Sequence, residues 1–364
     1  MLLQSGHITD ALRSSYARLL VDEYQDCNLT QHRMITWAAR VLPTCVLGDP
    51  MQAIFNFPGN PLVHWTGDVI AQFPPSGNLQ TPWRWRLAGT ERLGVWTLAA
   101  RAQLEANHPV DLRAAPPEVH WVQLQPATAV QQRISAARTL APDRDGSVLV
   151  IGDARNVQSR HQLTSQTPGA TLVETVEMAD LISFARQFDP DGANALAVLV
   201  NFAASMMTGL GAAALLARVE TIRNGRARTP PTPAELATVT YANAPCMVGA
   251  ALLLEHYSAL PGTHVYRPEM LRCSLSAIRT AASGTCTLYV AAVQVRERNR
   301  HFGRSPSRRA VGSTLLLKGL EADVAVILHP ERMSAQHLYV ALTRGARSVV
   351  ICSETHLLNP ALPN

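Results

Sequence analysis

The chain has 364 residues, of which 47% are hydrophobic and 16% charged; this composition excludes a disordered protein, and the length predicts two or more domains. A net charge of +5 permits a polyanionic partner without requiring one. The six cysteines form no C-x-x-C pair, which argues against a zinc site or a disulfide framework and predicts a reducing, cytoplasmic location.

The first stretch with a chemical signature is LLVDEYQD, residues 19–26, which follows a predicted helix over residues 1–18. A short apolar run that ends in carboxylates is typical of the carboxyl end of a buried parallel strand, where open α/β sheets bind ligands. Asp22 is therefore predicted to hold magnesium and Glu23 to activate a water molecule. An ordinary strand followed by an acidic turn is the alternative.

A second strand is predicted at residues 45–47, after a helix over residues 28–40, and it leads into GDPMQAIFNFPG at residues 48–59. Together with the acidic stretch, this segment resembles the Walker B motif and motif III of the UvrD/Rep-type superfamily 1 DNA helicases. The resemblance implies that Gln52 senses the γ-phosphate of ATP and that Phe57 stacks on a base of single-stranded DNA. Core packing of Phe57 is the alternative.

The next match, LQTPWRWR at residues 79–86, follows a Pro-rich boundary at residues 73–77 and resembles motif IV of the same family. The resemblance implies that Trp83 stacks on adenine and that Arg84 reaches the γ-phosphate. Pro82 stands where the family usually has asparagine, so the register of this motif is less certain than that of the others.

Downstream, GSTLLLKGLEADVAVIL at residues 312–328 resembles motif V. It matches the motif at four successive residues, Lys318, Gly319, Leu320 and Glu321. The resemblance implies that this segment binds the nucleotide, with Glu321 on the ribose. Leu315 stands at the usual histidine position, which puts a histidine-mediated DNA contact in doubt.

The last match, LYVALTRGARSVVICS at residues 338–353, resembles motif VI and places Arg344 at the arginine finger. A planar guanidinium can meet two phosphate oxygens as charge develops on them, so arginine suits that task. A surface arginine at the end of a helix is the alternative.

Residues 180–285 are predicted to be mostly helical, in the place where these helicases carry an accessory insertion. Residues 192–217 carry no charge, and we interpret them as two buried helices broken near Gly209 rather than as a membrane span. The Gly-Leu-Gly turn at Gly209 and Gly211 is similar to a helix-hairpin-helix, whose backbone amides can hold a DNA phosphate. A tight turn between packed helices is the alternative.

The 364 residues contain no phosphate-binding loop of the form G-x-x-x-x-G-K-[ST], and the single lysine, Lys318, already belongs to motif V. The resemblance therefore predicts a chain that begins partway through the first motor domain. Residues 1–75 are then expected to be poorly stable alone or to be completed by another polypeptide. A split gene, a start assigned too late and a decayed remnant remain open.

The predicted fold is α/β, with two RecA-like parallel-sheet motor domains, the first incomplete, and a mostly helical accessory insertion. The predicted boundaries are 1–75 for the first motor domain, 76–180 and 286–364 for the second, and 181–285 for the insertion. The predicted function is an ATP-dependent DNA helicase or translocase that uses ATP and Mg²⁺ on single-stranded DNA or a DNA junction, with no membrane partner. The isolated chain is expected to be weak or inactive. The alternatives are a non-catalytic remnant that binds DNA or a protein partner, and one subunit of a split helicase.

Overall fold

A computed structural model describes residues 6–56, 59–299 and 307–361. Its strands are β1 Leu19–Val21, β2 Thr44–Val46, β3 Val110–Asp111, β4 Val119–Gln123, β5 Val148–Ile151, β6 Thr171–Leu172, β7 Met207–Thr208, β8 His264–Val265, β9 Arg309–Gly312, β10 Ala322–Ile327, β11 Gly345–Ser353 and β12 Leu357–Leu358. Its helices are α1 Gly6–Ser15, α2 Leu29–Ala38, α3 Ile70–Gln72, α4 Trp83–Leu87, α5 Glu91–Glu105, α6 Ala129–Ala137, α7 Val157–Gln166, α8 Ala179–Gln187, α9 Ala195–Ala204, α10 Ala212–Arg223, α11 Pro233–Asn243, α12 Met247–Ser258, α13 Pro268–Ala282, α14 Leu288–Asn299, α15 Thr314–Leu317 and α16 Ala335–Leu342.

The chain divides into two compact units, residues 1–126 with 329–364, and residues 127–328. In the first unit, β1 pairs with β2 and β4 with β11 in parallel, while β3 and β12 are antiparallel. In the second, β10, β5, β9 and β6 are neighbours in that order and parallel, and β7 pairs with β8 antiparallel. The α/β class is therefore confirmed, whereas the predicted motor domains and their boundaries stay predictions.

The strand before the acidic residues differs from the prediction of a buried strand. Leu20 in the middle of β1 is 65% exposed, and its pairing partner Cys45 in β2 is also exposed. Side chains alternate between the two faces of a strand, and here only one face is covered. Val21 and Val46 lie on the covered face, against a small core that includes Tyr24. The prediction of burial is therefore wrong for the opposite face, which is open to solvent.

The parallel strands of the second unit are buried along their whole length. All four residues of β5 are buried, as are all four of β9, which pairs with it. A continuous apolar run such as Val148–Ile151 is what a parallel strand covered on both faces requires. The sequence SVLVIGDARNVQSRHQL at residues 147–163 predicts a strand followed by a helix, and β5 and α7 confirm this prediction.

Helices α8 to α14 pack around one large apolar core, which confirms the mostly helical prediction for residues 180–285. Leu199, Met206 and Tyr257 are among its fully buried members. The uncharged segment 192–217 forms α9, β7 and the start of α10, with the break at Gly209 that the sequence predicts. Within the described ranges, no helix combines the length and the apolar character that crossing a membrane requires.

A buried cluster of charges ties three elements of the second unit together. Arg267, which is 2% exposed, donates from Nε to Glu174 Oε1 over 2.7 Å and from Nη2 to Glu174 Oε2 over 2.9 Å. Its Nη1 donates to Asp180 Oδ2, also over 2.7 Å. The charges of Arg267 and Asp180 also act on His161 on α7. Burial, reinforced by the positive charge of Arg267, lowers the pKa of His161 to about 4.

We expect acid to destabilise this unit through His161. The imidazole takes up its proton near pH 6.5 in the unfolded chain but only near pH 4 in the native state, so the free energy of unfolding falls as the pH falls between these values. His161→Gln should lose less stability between pH 7 and 4.5 than the wild type, as measured by urea unfolding. His108→Gln, at an exposed histidine, is the control. Parallel pH profiles of the wild type and His161→Gln would contradict the assignment.

Candidate functional site

Two neighbouring strands end side by side and deliver the acidic residues of the candidate site. The parallel pairing of β1 and β2 continues beyond the strands, where the Leu47 N–H donates to the Val21 carbonyl over 2.8 Å. Asp22 and Glu23 follow β1, and Asp49 follows β2. The three carboxylates therefore leave the same end of adjacent parallel strands, which is the edge where α/β sheets bind ligands.

The turn after β1 is held in an uncommon backbone conformation. Glu23 lies in the left-handed region, with φ 52° and ψ 39°, and its N–H donates to Asp22 Oδ1 over 2.8 Å. This conformation costs a residue other than glycine about 1 kcal/mol. Both side chains remain exposed to solvent, so both carboxylates are accessible to a ligand.

Gln25 connects the ends of the two strands. Its side chain is 2% exposed, and its Nε2 donates to Glu23 Oε2. Its Oε1 accepts the Asp49 backbone N–H over 3.0 Å. A Cβ at Gly48 would lie 2.7 Å from that same Oε1 and 2.7 Å from the Trp65 ring, so only glycine allows this close approach.

The Asp49 carboxylate is the acceptor around which the second turn is organised. Oδ1 accepts the Met51 N–H over 3.0 Å, and Oδ2 lies 3.4 Å from Gln52 Nε2. Arg101 on α5 donates to Oδ1 from Nη2 over 2.9 Å and from Nε over 3.3 Å. Burial of the Arg101 guanidinium opposes its charge, but Asp49 and Glu105 outweigh that effect and raise its pKa.

Tyr339 on α16 completes the surroundings of Asp49. Its ring is buried, the Arg101 guanidinium lies 5.9 Å from the ring centroid, and the negative charge of the Asp49 carboxylate acts on its hydroxyl. Burial, and then the negative charge of Asp49, raise the pKa of Tyr339. Helix α16 also packs against the short 3-10 turn Pro50–Gln52 and against α5.

Two of the predicted phosphate-binding arginines meet at the end of α16. Arg344 is 4% exposed and donates from Nε to the Val340 carbonyl over 3.0 Å and from Nη2 to Thr343 Oγ1 over 2.7 Å. Arg84 on α4 donates from Nη1 to the Thr343 carbonyl over 2.6 Å. Trp85 Nε1 fastens α4 to the same segment through the Gly345 carbonyl, over 3.0 Å.

A chain of contacts in the first unit therefore connects most of the predicted catalytic residues. It runs from Glu23 through Gln25 to Asp49 and Gln52, and from Asp49 through Arg101 to Tyr339 on α16, the helix that precedes Arg344. Their roles toward a phosphate stay predictions, since the contacts show proximity and not catalysis.

Trp83 is placed for stacking on a ligand. Its side chain is 60% exposed, and the Arg86 guanidinium lies 5.1 Å from the ring centroid. Leu79 and Leu87 nearby along the chain are also exposed. An aromatic ring on the surface beside a cation can accept a base, so the predicted contact with adenine stays compatible with the geometry.

In the second unit, the predicted nucleotide-binding residues of motif V follow a short anchored helix. Ser313 caps α15, and Leu317 at its end is fully buried against Gly312. Lys318 closes the helix, Gly319 has a φ of +80°, and Glu321 is exposed at the entry to β10. The loop Lys318–Glu321 thus begins at the end of a helix that is anchored in the core.

The residues predicted to bind DNA are less directly described. Phe57 lies outside the described residues. Gly209 has a φ of +88°, and a Cβ there would lie 2.8 Å from the Gly262 carbonyl oxygen. Gly211, with a φ of +55°, precedes the first turn of α10. Close backbone packing accounts for Gly209 without DNA, so a phosphate contact by this turn stays a prediction.

The carboxylates of the candidate site could contribute to a magnesium site only in part. Across residues 6–56, 59–299 and 307–361, no group of three or more His, Cys, Asp and Glu side chains could hold a metal ion. Mg²⁺ in nucleotide sites commonly takes one or two protein carboxylates and completes its shell with water and phosphate oxygens. The exposed carboxylate of Asp22, next to Glu23, fits that smaller requirement.

Three residues of the site escaped the sequence analysis. Gln25 lies within residues 19–26 and Tyr339 within residues 338–353, the stretches that resemble the Walker B motif and motif VI. The motifs drew attention to these segments, but they assigned no role to either residue. Arg101 lies 52 positions from Asp49, and no local pattern distinguishes it from the other arginines.

Gly48→Ala should destabilise the candidate site. The added methyl group would overlap Gln25 and Trp65, and overpacking of this kind costs roughly 1–3 kcal/mol. A thermal melt should show a lower midpoint for Gly48→Ala. Gly77→Ala, where no atom lies within 4 Å of the new Cβ, is the matched control and should match the wild type or exceed it slightly. Equal melting points for the Gly48 variant and the wild type would contradict the close approach.

The segment that carries the acidic turn has a match among known protein families. Residues 1–62 match the family model of the UvrD/REP helicase N-terminal domain. The search of curated proteins found no match to the chain. The matched segment includes Asp22, Glu23, Gln25, Asp49 and Gln52, and it supports a relationship of this part of the chain to the UvrD-type helicases.

Proposed function

We propose that this chain is part of an ATP-dependent DNA helicase or translocase of the UvrD/Rep type. The observation that carries the proposal is the polar link from Glu23 through Gln25 to Asp49, continued by Arg101 to Tyr339 on α16, the helix that precedes Arg344. A water-activating carboxylate and a phosphate-binding arginine must act on one triphosphate, and this link brings their elements together. The family match over residues 1–62 supports the same assignment.

In the proposed reaction, Glu23 accepts a proton from the water that attacks the γ-phosphate, and Asp22 binds magnesium. Magnesium, when bound, neutralises the negative charge on the β- and γ-phosphates. Gln25 orients Glu23, because its buried amide donates to one carboxylate oxygen and leaves the other for water. Gln52 senses whether a γ-phosphate is bound, and it lies in the turn that the Asp49 carboxylate stabilises.

Arg84 and Arg344 supply positive charge to the γ-phosphate in this proposal. Both guanidiniums donate to Thr343, and Arg344 also donates to Val340. Charge-assisted bonds to phosphate are roughly twice as strong as bonds to neutral acceptors. A bound triphosphate would therefore draw the two side chains away from these neutral oxygens.

The remaining contacts are assigned to the nucleoside and to DNA. Trp83 stacks on adenine, Glu321 binds the ribose, and Lys318 and Gly319 contribute to the nucleotide site. Single-stranded DNA or a DNA junction is the proposed partner, with Phe57 and the turn at Gly209 and Gly211 as its contacts. Action in the cytoplasm belongs to the same proposal.

A second polypeptide is proposed to supply the phosphate-binding loop. The 364 residues hold no G-x-x-x-x-G-K-[ST] segment, and the outer face of β1 and β2 exposes Leu20 and Cys45. Parallel strands normally have both faces covered, so this face suits a further segment of sheet or helix.

Purified alone, the chain should hydrolyse ATP close to background even with single-stranded DNA. Adding a polypeptide that carries the loop and is encoded beside this chain should restore turnover, measured as phosphate release. In the restored assembly, Glu23→Gln should lower kcat by about 10²–10⁴-fold, since it removes the base. Arg92→Met, an exposed arginine on α5, is the control that should keep kcat. Robust turnover by the chain alone would overturn the need for a partner.

Trp83→Ala should weaken nucleotide binding more than turnover. Loss of stacking on a base costs roughly 1–3 kcal/mol, so the KM for ATP in the restored assembly should rise about 5- to 150-fold with a smaller change in kcat. Trp83→Phe keeps a ring and should recover most of the affinity. Equal KM values for Trp83→Ala and the wild type would remove Trp83 from the adenine site.

A non-catalytic module that binds DNA or a partner protein is the second candidate function, and the absence of a phosphate-binding loop from the 364 residues favours it. It predicts tight binding of labelled single-stranded DNA, measured by fluorescence anisotropy, with no turnover under any combination of polypeptides. Restored turnover that depends on Glu23 would exclude it.

A further inference from the structure

Neither the proposed chemistry nor the sequence motifs give Arg101 a role. It lies in the last third of α5, and its guanidinium contacts three side chains at once, those of Asp49, Glu105 and Tyr339. The contact with Glu105 is an i,i+4 pair within the helix, which is worth only a few tenths of a kcal/mol. The contacts with Asp49 and Tyr339 join α5 to two other elements.

The Asp49 carboxylate needs this cation. It is half-buried, and its donors besides Arg101 are neutral: the Met51 N–H and the Gln52 amide. A half-buried carboxylate with only neutral donors would retain a cost of desolvation, which a guanidinium offsets. Two N–H groups of Arg101 reach the same oxygen, Oδ1.

Tyr339 carries the link onward to the arginine finger. The Arg101 guanidinium, which donates to Asp49, lies 5.9 Å from the Tyr339 ring centroid, and Tyr339 lies on α16, five positions before Arg344. Helix α16 also packs directly against the turn Pro50–Gln52. Asp49, Arg101 and Tyr339 thus bridge the turn that holds Gln52 and helix α16, which ends two residues before Arg344.

We propose that Arg101 is a positioning residue that joins the turn Pro50–Gln52 to helix α16, so that the two move together. Its catalytic meaning rests on the proposed function: when Gln52 meets a γ-phosphate, the link transmits the displacement to Arg344. The link itself exists without nucleotide, because every contact in it is formed by side chains of this chain.

The test is hydrogen–deuterium exchange on the full nucleotide-free chain. Arg101→Met keeps the aliphatic stem and removes the charge, and it should speed amide exchange about fivefold to tenfold both in residues 48–54 and in residues 335–344. Tyr339→Phe, which removes only the hydroxyl, should speed exchange in the same two segments. Arg101→Lys keeps the charge without the forked donors and should restore part of the protection.

Arg92→Met is the matched control, because Arg92 lies on the same helix and forms an exposed pair with Glu118. It should leave both segments unchanged. Faster exchange in only one segment, no change in either, or an equal effect of Arg92→Met would overturn the link. If Arg101→Met also speeds exchange across β5, the variant has perturbed the fold. The exchange rates of the two milder variants, Tyr339→Phe and Arg101→Lys, then decide whether the link exists.

The result is independent of the proposed activity. Unchanged exchange would remove Arg101 from its assigned role and leave the helicase proposal in place. Absence of turnover in the restored assembly would remove the helicase proposal and leave the link between the two segments standing.

Discussion

The candidate site depends on the hydrogen bonds that one carboxylate, Asp49, accepts. Parallel strands β1 and β2 bring their ends together, but nothing in strand pairing fixes the turns that follow. Asp49 fixes them, because a half-buried carboxylate is stable only when its oxygens are occupied by donors. Its donors come from its own turn and from Arg101 on α5, and the Arg101 guanidinium lies 5.9 Å from the Tyr339 ring centroid on α16, so satisfying one charge gathers three distant parts of the chain. Gln25 extends the same network to Glu23.

The arginines at the end of α16 obey a different constraint. A guanidinium keeps its charge at any physiological pH, so a buried one must find acceptors. Arg344 finds the Val340 carbonyl and the Thr343 hydroxyl, and Arg84 finds the Thr343 carbonyl. These acceptors are neutral, and a doubly charged phosphate oxygen cluster competes well against them. These contacts therefore hold both cations beside Thr343.

Local patterns in the sequence predicted much of the fold, including strand β5 with α7 and the helices of residues 180–285. They also placed Asp22, Glu23 and Asp49 near strand ends. The burial of β1 could not be predicted, because alternation along a strand shows that two faces exist but not which of them is covered. Leu20 is apolar and yet exposed, because the face of β1 on which it lies is the uncovered one. Arg101 could not be found either, because its partner Asp49 lies 52 positions away and only tertiary packing brings the two together.

The charge cluster around Arg267 and the one around Asp49 differ in how much motion they permit. Arg267 is buried and donates to both carboxylate oxygens of Glu174 and to one of Asp180. Breaking a buried ion pair such as Arg267–Glu174 costs roughly 3–5 kcal/mol. That cost suits a joint that holds helices in place. Asp49 and Arg101 are each about a quarter exposed, and a pair that water can reach is worth far less. Water can replace one partner during a displacement, so the cluster around Asp49 can hold the turn Pro50–Gln52 in place and still let it shift.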